Sequence, residues 1–111
     1  MERIAFYGTL RQSFGVQRKL GVERWLSVLG PCVISGRSIK HLGYPGLVPG
    51  DGEVAAELYE VLDPRAFVIL DDYEQFNPMD PAGSLYVRKV VGLLTPDCDA
   101  WVYFANERLR R

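Results

Sequence analysis

The stretch Ile4-Ala5-Phe6-Tyr7-Gly8-Thr9-Leu10-Arg11 sets the frame for the rest of the chain. A short apolar run ends abruptly in glycine and polar residues, the pattern of a strand that delivers a loop. It predicts a strand over residues 3–7 and a binding loop through Arg11. Glycine accepts backbone conformations that side chains disfavour, so several amide N–H groups around Gly8 can point into one concavity. Such a concavity suits a carboxylate or an oxyanion.

Working outward, residues 14–27 carry a weak helical pattern interrupted by Gly21, and residues 32–39 read as a strand weakened by Gly36. Residues 43–52 hold four glycines and two prolines and read as loop, with Tyr44 and Leu47 folded inward. Residues 53–61 alternate as a strand does, with Glu57 read as a solvent-facing carboxylate between its neighbours. The runs 85–94 and 98–105, rich in Val, Tyr, Trp and Phe, form a hairpin across Thr95-Pro96-Asp97. This order predicts an α/β (α+β) fold in which a small, mixed, barrel-like sheet carries a few flanking helices. A chain of 111 residues is expected to form a single domain, 1–111, large enough to bury a core without disulfides or a structural metal.

Composition narrows the function. The chain is 48% hydrophobic and 24% charged with a net charge of -1, so no global basic field attracts nucleic acid. Arg108, Arg110 and Arg111 form the only basic cluster and read as a solvated end. The apolar runs are too short to span a bilayer and the N-terminus lacks the features of a signal peptide, from which no membrane partner and a cytoplasmic location are expected. Cys32 and Cys98 lack CxxC spacing and read as reduced, packed thiols, and His41 is the only histidine, read at a loop or rim. A Cys/His zinc site or a histidine triad within one chain is thereby disfavoured. No phosphate-loop glycine motif and no GxSxG elbow occurs. Oligomeric state is not encoded in any pattern of the sequence.

The clearest helix begins at Asp63-Pro64, a favoured cap followed by a favoured first residue, and stops before Asn77-Pro78. At about 100° per residue, Ala66, Phe67, Ile69, Leu70 and Tyr73 share one broad apolar arc. Glu74 falls inside that arc, Asp71 at its margin and Asp72 on the opposite side. A carboxylate on a buried face costs several kcal/mol unless paired, so Glu74 is either solvated at a frayed helix end or a functional group in a cleft. A metal would find at most two oxygen-donor residues here, Asp71 and Glu74, and no metal site is expected.

A resemblance rests on these same residues. Tyr7-Gly8-Thr9-Leu10 is similar to the YG(S/T)L loop of the gamma-glutamylcyclotransferase-like family, and Leu70-Asp71-Asp72-Tyr73-Glu74 resembles its LDxxE motif. Tyr44-Pro45-Gly46-Leu47-Val48-Pro49-Gly50, Glu57-Leu58-Tyr59-Glu60-Val61, Tyr86-Val87-Arg88 and Trp101-Val102-Tyr103 follow in the order of its small members. Gln75 departs from the pattern, standing where many relatives carry glycine.

The resemblance implies a barrel-like α/β fold and a cofactor-independent cyclotransferase that acts on a small gamma-glutamyl substrate. The substrate's α-amine attacks its own side-chain carbonyl, releasing 5-oxoproline and a free amine. Carried over, Glu74 is the general acid and base, and Tyr7, Gly8, Thr9 and Leu10 bind the substrate. The loop amides hold either the α-carboxylate or the developing oxyanion, a choice the sequence leaves open. Tyr86 and Tyr103 are candidates to orient Glu74 or line the cleft. Nucleophile and electrophile belong to one molecule, so no nucleophilic Ser or Cys is required and orientation supplies much of the rate. An ordinary Glu and an α-amine differ by roughly 3.5 pKa units, about 5 kcal/mol, and burial narrows that gap from both sides. The competing reading is a non-catalytic module that binds small ligands on the same fold. Specificity is expected from the loops at 41–50 and 76–84.

Overall fold

The structure is a computed structural model that describes residues 1–108. Arg110 and Arg111, the end of the expected basic tail, lie outside the described residues. In chain order the elements are β1 (Glu2–Phe6), α1 (Val16–Leu20), β2 (Leu26–His41), β3 (Tyr44–Val61), α2 (Arg65–Tyr73), β4 (Tyr86–Gly92) and β5 (Asp99–Ala105), with short 3-10 turns at Gln12–Phe14, Glu23–Trp25 and Pro81–Gly83.

The sheet runs β2-β3-β1-β5-β4. β1 is central, antiparallel to β3 and parallel to β5 through Ile4 and Trp101. Its alternation explains its composition: Ile4 and Phe6 enter one apolar cluster with Leu10, Tyr59, Leu70 and Tyr103, while Ala5 enters another with Cys32, Ile34, Leu47, Leu58 and Val102. A strand buried on both faces reads as continuously apolar. The sheet is mixed and not closed into the expected barrel. A single bridge draws β2 toward the turn after β4, with Val33 N–H donating to Thr95 O at 2.8 Å and Leu94 N–H to Val33 O at 2.9 Å.

The segment 43–52 departs from expectation. β2 and β3 form a long hairpin about Leu42-Gly43, whose φ values of 50° and 88° are those of a tight two-residue turn. Pairing runs from His41 with Tyr44 to Arg37 with Val48 and resumes at Ser35 with Glu53, so residues 49–52 bulge out opposite Gly36. The prolines conceal this strand. β1 pairs β3 only over residues 57–61, so the 44–48 half has β2 on one side and β1 on neither, where proline does not interrupt a ladder. His41 accordingly ends a strand and is 6% exposed, its Nε2 3.1 Å from Leu85 O, rather than lying on a rim. The weak helical stretch 14–27 holds only the short α1 between two 3-10 turns, because Gly15 and Gly21 both take positive φ at its ends.

Gly36 is required at the bulge. A Cβ there would stand 2.8 Å from the Val48 carbonyl oxygen and 2.8 Å from Leu47 Cδ1. Since the Val48 carbonyl is backbone, the hairpin itself would have to shift. Gly36→Ala is expected to lower unfolding free energy by about 1–3 kcal/mol, read as a drop in the urea midpoint with an unchanged slope.

Candidate active site

α2 is fixed at both ends by local chemistry. At its start the Asp63 carboxylate accepts from Arg65 N–H at 2.9 Å and from the Arg65 guanidinium at 2.7 Å. At its end, Gln75 N–H donates to Asp72 O at 3.1 Å and Phe76 N–H to Asp71 O at 2.8 Å, with Gln75 at φ 56°. These paired bonds around a left-handed residue form a Schellman motif, which turns the chain sharply just after Glu74.

Three residues before Glu74, Asp71 is 6% exposed and fully engaged. Arg88 reaches it from β4 with Nε at 2.8 Å and a second guanidinium nitrogen at 3.0 Å, and Tyr103 donates its hydroxyl at 2.6 Å. The Arg88 guanidinium lies over the rings of Phe67 and Trp101 at 4.3 and 4.4 Å. A buried carboxylate held by a bidentate arginine and a phenol meets the condition under which burial of charge is tolerable. Asp71 is therefore occupied by donors from its own chain and is not half of a two-carboxylate metal pair.

The loop after β1 is pinned from the other side. Buried Gln17 donates to Leu10 O at 2.7 Å, and Glu57 accepts from Gln12 N–H at 2.7 Å and from the Tyr59 hydroxyl at 2.8 Å. Glu57 is thus half-buried and committed to the loop rather than facing solvent. Tyr7 joins the two halves by donating its hydroxyl to Tyr103 O at 2.5 Å, and Thr9 Oγ1 lies 2.9 Å from the Tyr73 hydroxyl.

Between these anchors lies a cleft of about 330 Å³ lined by Phe6, Tyr7, Gly8, Thr9, Leu10, Tyr44, Pro45, Tyr73, Glu74, Gln75, Leu85 and Tyr86. The loop residues 7–10 and Glu74 meet here, brought together by the packing of α2 on the first strand's cluster. Among the described residues, the amide N–H groups of Gly8, Thr9 and Leu10 donate to no protein acceptor. Tyr86 lines the cleft and spends its hydroxyl on Pro45 O at 2.5 Å. Tyr103 does not line it and instead holds Asp71 from behind. Of the two loops expected to wall the cleft, the first contributes Tyr44 and Pro45, while residues 76–84 line none of it. That loop is drawn away by Asn106, whose carboxamide donates to Ala82 O at 3.0 Å and Ser84 O at 2.8 Å.

Glu74 differs from Asp71 in having no donor among the described residues. Burial raises its carboxyl from 4.5 to about 7. Burial also raises the neighbouring phenols: Tyr86 to about 12, with the Glu74 charge adding to the effect, and Tyr7 well above the ordinary tyrosine range. These tyrosines stay protonated, and their hydroxyls are already directed elsewhere. Arg88 and Gln17 received no role from the sequence. An aspartate at the margin of the apolar arc, one helical turn before Glu74, was the available sign that a cation such as Arg88 would be required.

Against this geometry, a family model described as "Gamma-glutamyl cyclotransferase, AIG2-like" matches residues 4–111. The chain belongs to this family. It is 33% identical over 105 residues to the gamma-glutamylcyclotransferase family protein YtfP of Escherichia coli K12, covering 91% of this chain and 80% of that one. The solution structure of Escherichia coli YtfP is similar with a TM-score of 0.62 at 30% identity, over 98% of this chain and 84% of the other. An AIG2-like protein from Mus musculus is similar with a TM-score of 0.72 at 25% identity, over 99% and 80%. None of the described helices is long and apolar enough to cross a membrane.

Two measurements probe the electrostatics. Glu74 binds its proton more tightly folded than unfolded, so between pH 4.5 and about 7 the folded state carries the extra proton and stability falls as pH rises. Glu74→Gln is expected to be more stable than the parent above pH 7, by about 1–3 kcal/mol, and equal to it below pH 4.5, read by urea unfolding across pH. Asp71→Asn leaves Arg88 without its counter-charge and is expected to lose about 3–5 kcal/mol in the same assay.

Proposed function

We propose that the protein is a cofactor-independent gamma-glutamylcyclotransferase that releases 5-oxoproline and a free amine from a gamma-glutamyl amide, with Glu74 as general base and acid. The observation that carries this reading is a carboxylate without a protein donor, raised to about 7, in the same cleft as the unpaired amides of residues 8–10. A base near 7 faces an α-amine near 8, which leaves a gap of about 1 unit, roughly 1.4 kcal/mol, instead of about 5 kcal/mol.

The ammonium of the substrate seeks the one carboxylate in the cleft that lacks a partner. Its own carboxylate finds the amides of residues 8–10, which donate to no protein acceptor among the described residues. Bound at both points, the chain folds so that the amine reaches the side-chain carbonyl carbon, and proximity replaces a protein nucleophile. Glu74 takes a proton from the ammonium, the freed amine attacks the carbonyl carbon, and Glu74 returns that proton to the leaving nitrogen. The second proton of the attacking nitrogen follows through Glu74 as the lactam forms and the amide C–N bond breaks, so the amine departs as an ammonium. No water is consumed and Glu74 ends as it began. The cytoplasmic setting expected from the sequence suits such a small-molecule enzyme.

The active pairing is Glu74 ionised with the substrate amine protonated, so kcat/KM is expected to be bell-shaped with limbs at about 7 and about 8. Glu74→Gln should retain the fold and lose at least about 10²-fold in 5-oxoproline release, followed by mass spectrometry over a panel of gamma-glutamyl compounds. Unchanged turnover in that variant would reject Glu74 as the base. Stabilisation by gamma-glutamyl compounds with no 5-oxoproline from the parent protein would point to a binding module instead.

A further inference from the structure

The rim of the cleft is built differently from its floor. Phe6, Leu10, Leu85 and Tyr86 are buried, whereas Thr9, Tyr44, Pro45, Tyr73 and Gln75 are exposed. Among the described residues, Glu74 is the only lining residue that carries charge at neutral pH, and no Lys, Arg or His lines the cleft. With the glutamyl half of the substrate on the floor, between the loop amides and Glu74, the departing amine faces this uncharged rim.

Gln75 is the rim residue that its backbone does not explain. At φ 56° it occupies the left-handed position of the Schellman turn, where glycine is at ease and other side chains cost on the order of 1 kcal/mol. Its carboxamide has no protein partner among the described residues, and it stands on the ridge between the cleft and a shallower depression lined by Asp72, Phe76, Asn77 and Asp80. A strained conformation kept at the mouth of a cleft points to a use for the side chain rather than for the turn.

We propose that Gln75 is a specificity-determining residue whose carboxamide hydrogen-bonds an uncharged polar group, a carboxamide or hydroxyl, on the leaving amine. The preferred substrates are then gamma-glutamyl amides of neutral polar amines, not of amino acids with a free carboxylate, which would meet no cation among the described rim residues and the like charge of Glu74 within. Tyr44 and Tyr73 offer the same amine aromatic walls. This assignment rests on the cyclotransferase reading for where the two halves of the substrate lie.

The test compares gamma-glutamyl-glycinamide, gamma-glutamyl-propylamide and gamma-glutamyl-glycine, with kcat/KM measured on the parent protein and Kd by calorimetry on Glu74→Gln. Both are repeated with Gln75→Gly, which removes side chain and strain together, and with Gln75→Met, which keeps length and removes the amide. The glycinamide is expected to be favoured over the propylamide by about tenfold, and both Gln75 variants should bring that ratio close to one. An unchanged ratio in the variants, or gamma-glutamyl-glycine as the best compound, overturns the assignment while leaving the catalytic reading intact. A binding preference that depends on Gln75 without turnover of any compound supports the assignment and rejects the catalysis. Neither binding nor turnover overturns both.

Discussion

The buried Asp71 carboxylate is the interaction on which the rest of the molecule depends. Arg88 from β4 and Tyr103 from β5 both donate to it, so one helical side chain fixes α2 against two strands. The Tyr103 backbone carbonyl in turn accepts from Tyr7, at the end of β1. A continuous path of hydrogen bonds therefore runs from α2 through β5 to the loop after β1, and the two sides of the cleft are held by one network. Such a network specifies a single arrangement because each member, once buried, is costly to leave unpaired.

The same network determines what is left over. Asp71 and Glu74 are three residues apart on neighbouring turns, yet the first is saturated with donors and the second has none among the described residues. The hydroxyls of Tyr7, Tyr86 and Tyr103 go to Tyr103 O, Pro45 O and Asp71, not to Glu74. What remains is a carboxyl raised to about 7 in the same cleft as loop amides that donate to no protein acceptor among the described residues. Two carboxylates of one helix thus acquire structural and chemical roles through environment alone.

Much of this was legible in the residues. The apolar run before Gly8 marked β1 and its loop, and the phase of residues 63–74 placed Glu74 on the buried arc and Asp72 away from it. The β4–β5 hairpin followed from its Val, Tyr, Trp and Phe content. The 44–48 half of β3 was hidden because proline and glycine usually signal loop, and only tertiary context shows that β1 does not reach that half. Arg88 was hidden for a related reason. Alternation places it on the same face as buried Tyr86, but its partner lies on a distant helix that no local pattern identifies. Gln75 was visible as a departure from the family pattern, whereas its positive φ and its place on the rim came only from the structure.

The central claim, that Glu74 is a half-buried carboxyl without a donor among the described residues, is open to direct observation. Carbon-13 NMR of the glutamate side-chain carboxyls across pH, with Glu74→Gln used to assign the resonance, follows its proton alone. The structure predicts a midpoint at about 7. A midpoint in the ordinary range of about 4.3 would mean that Glu74 is solvated or hydrogen-bonded, and would contradict the account.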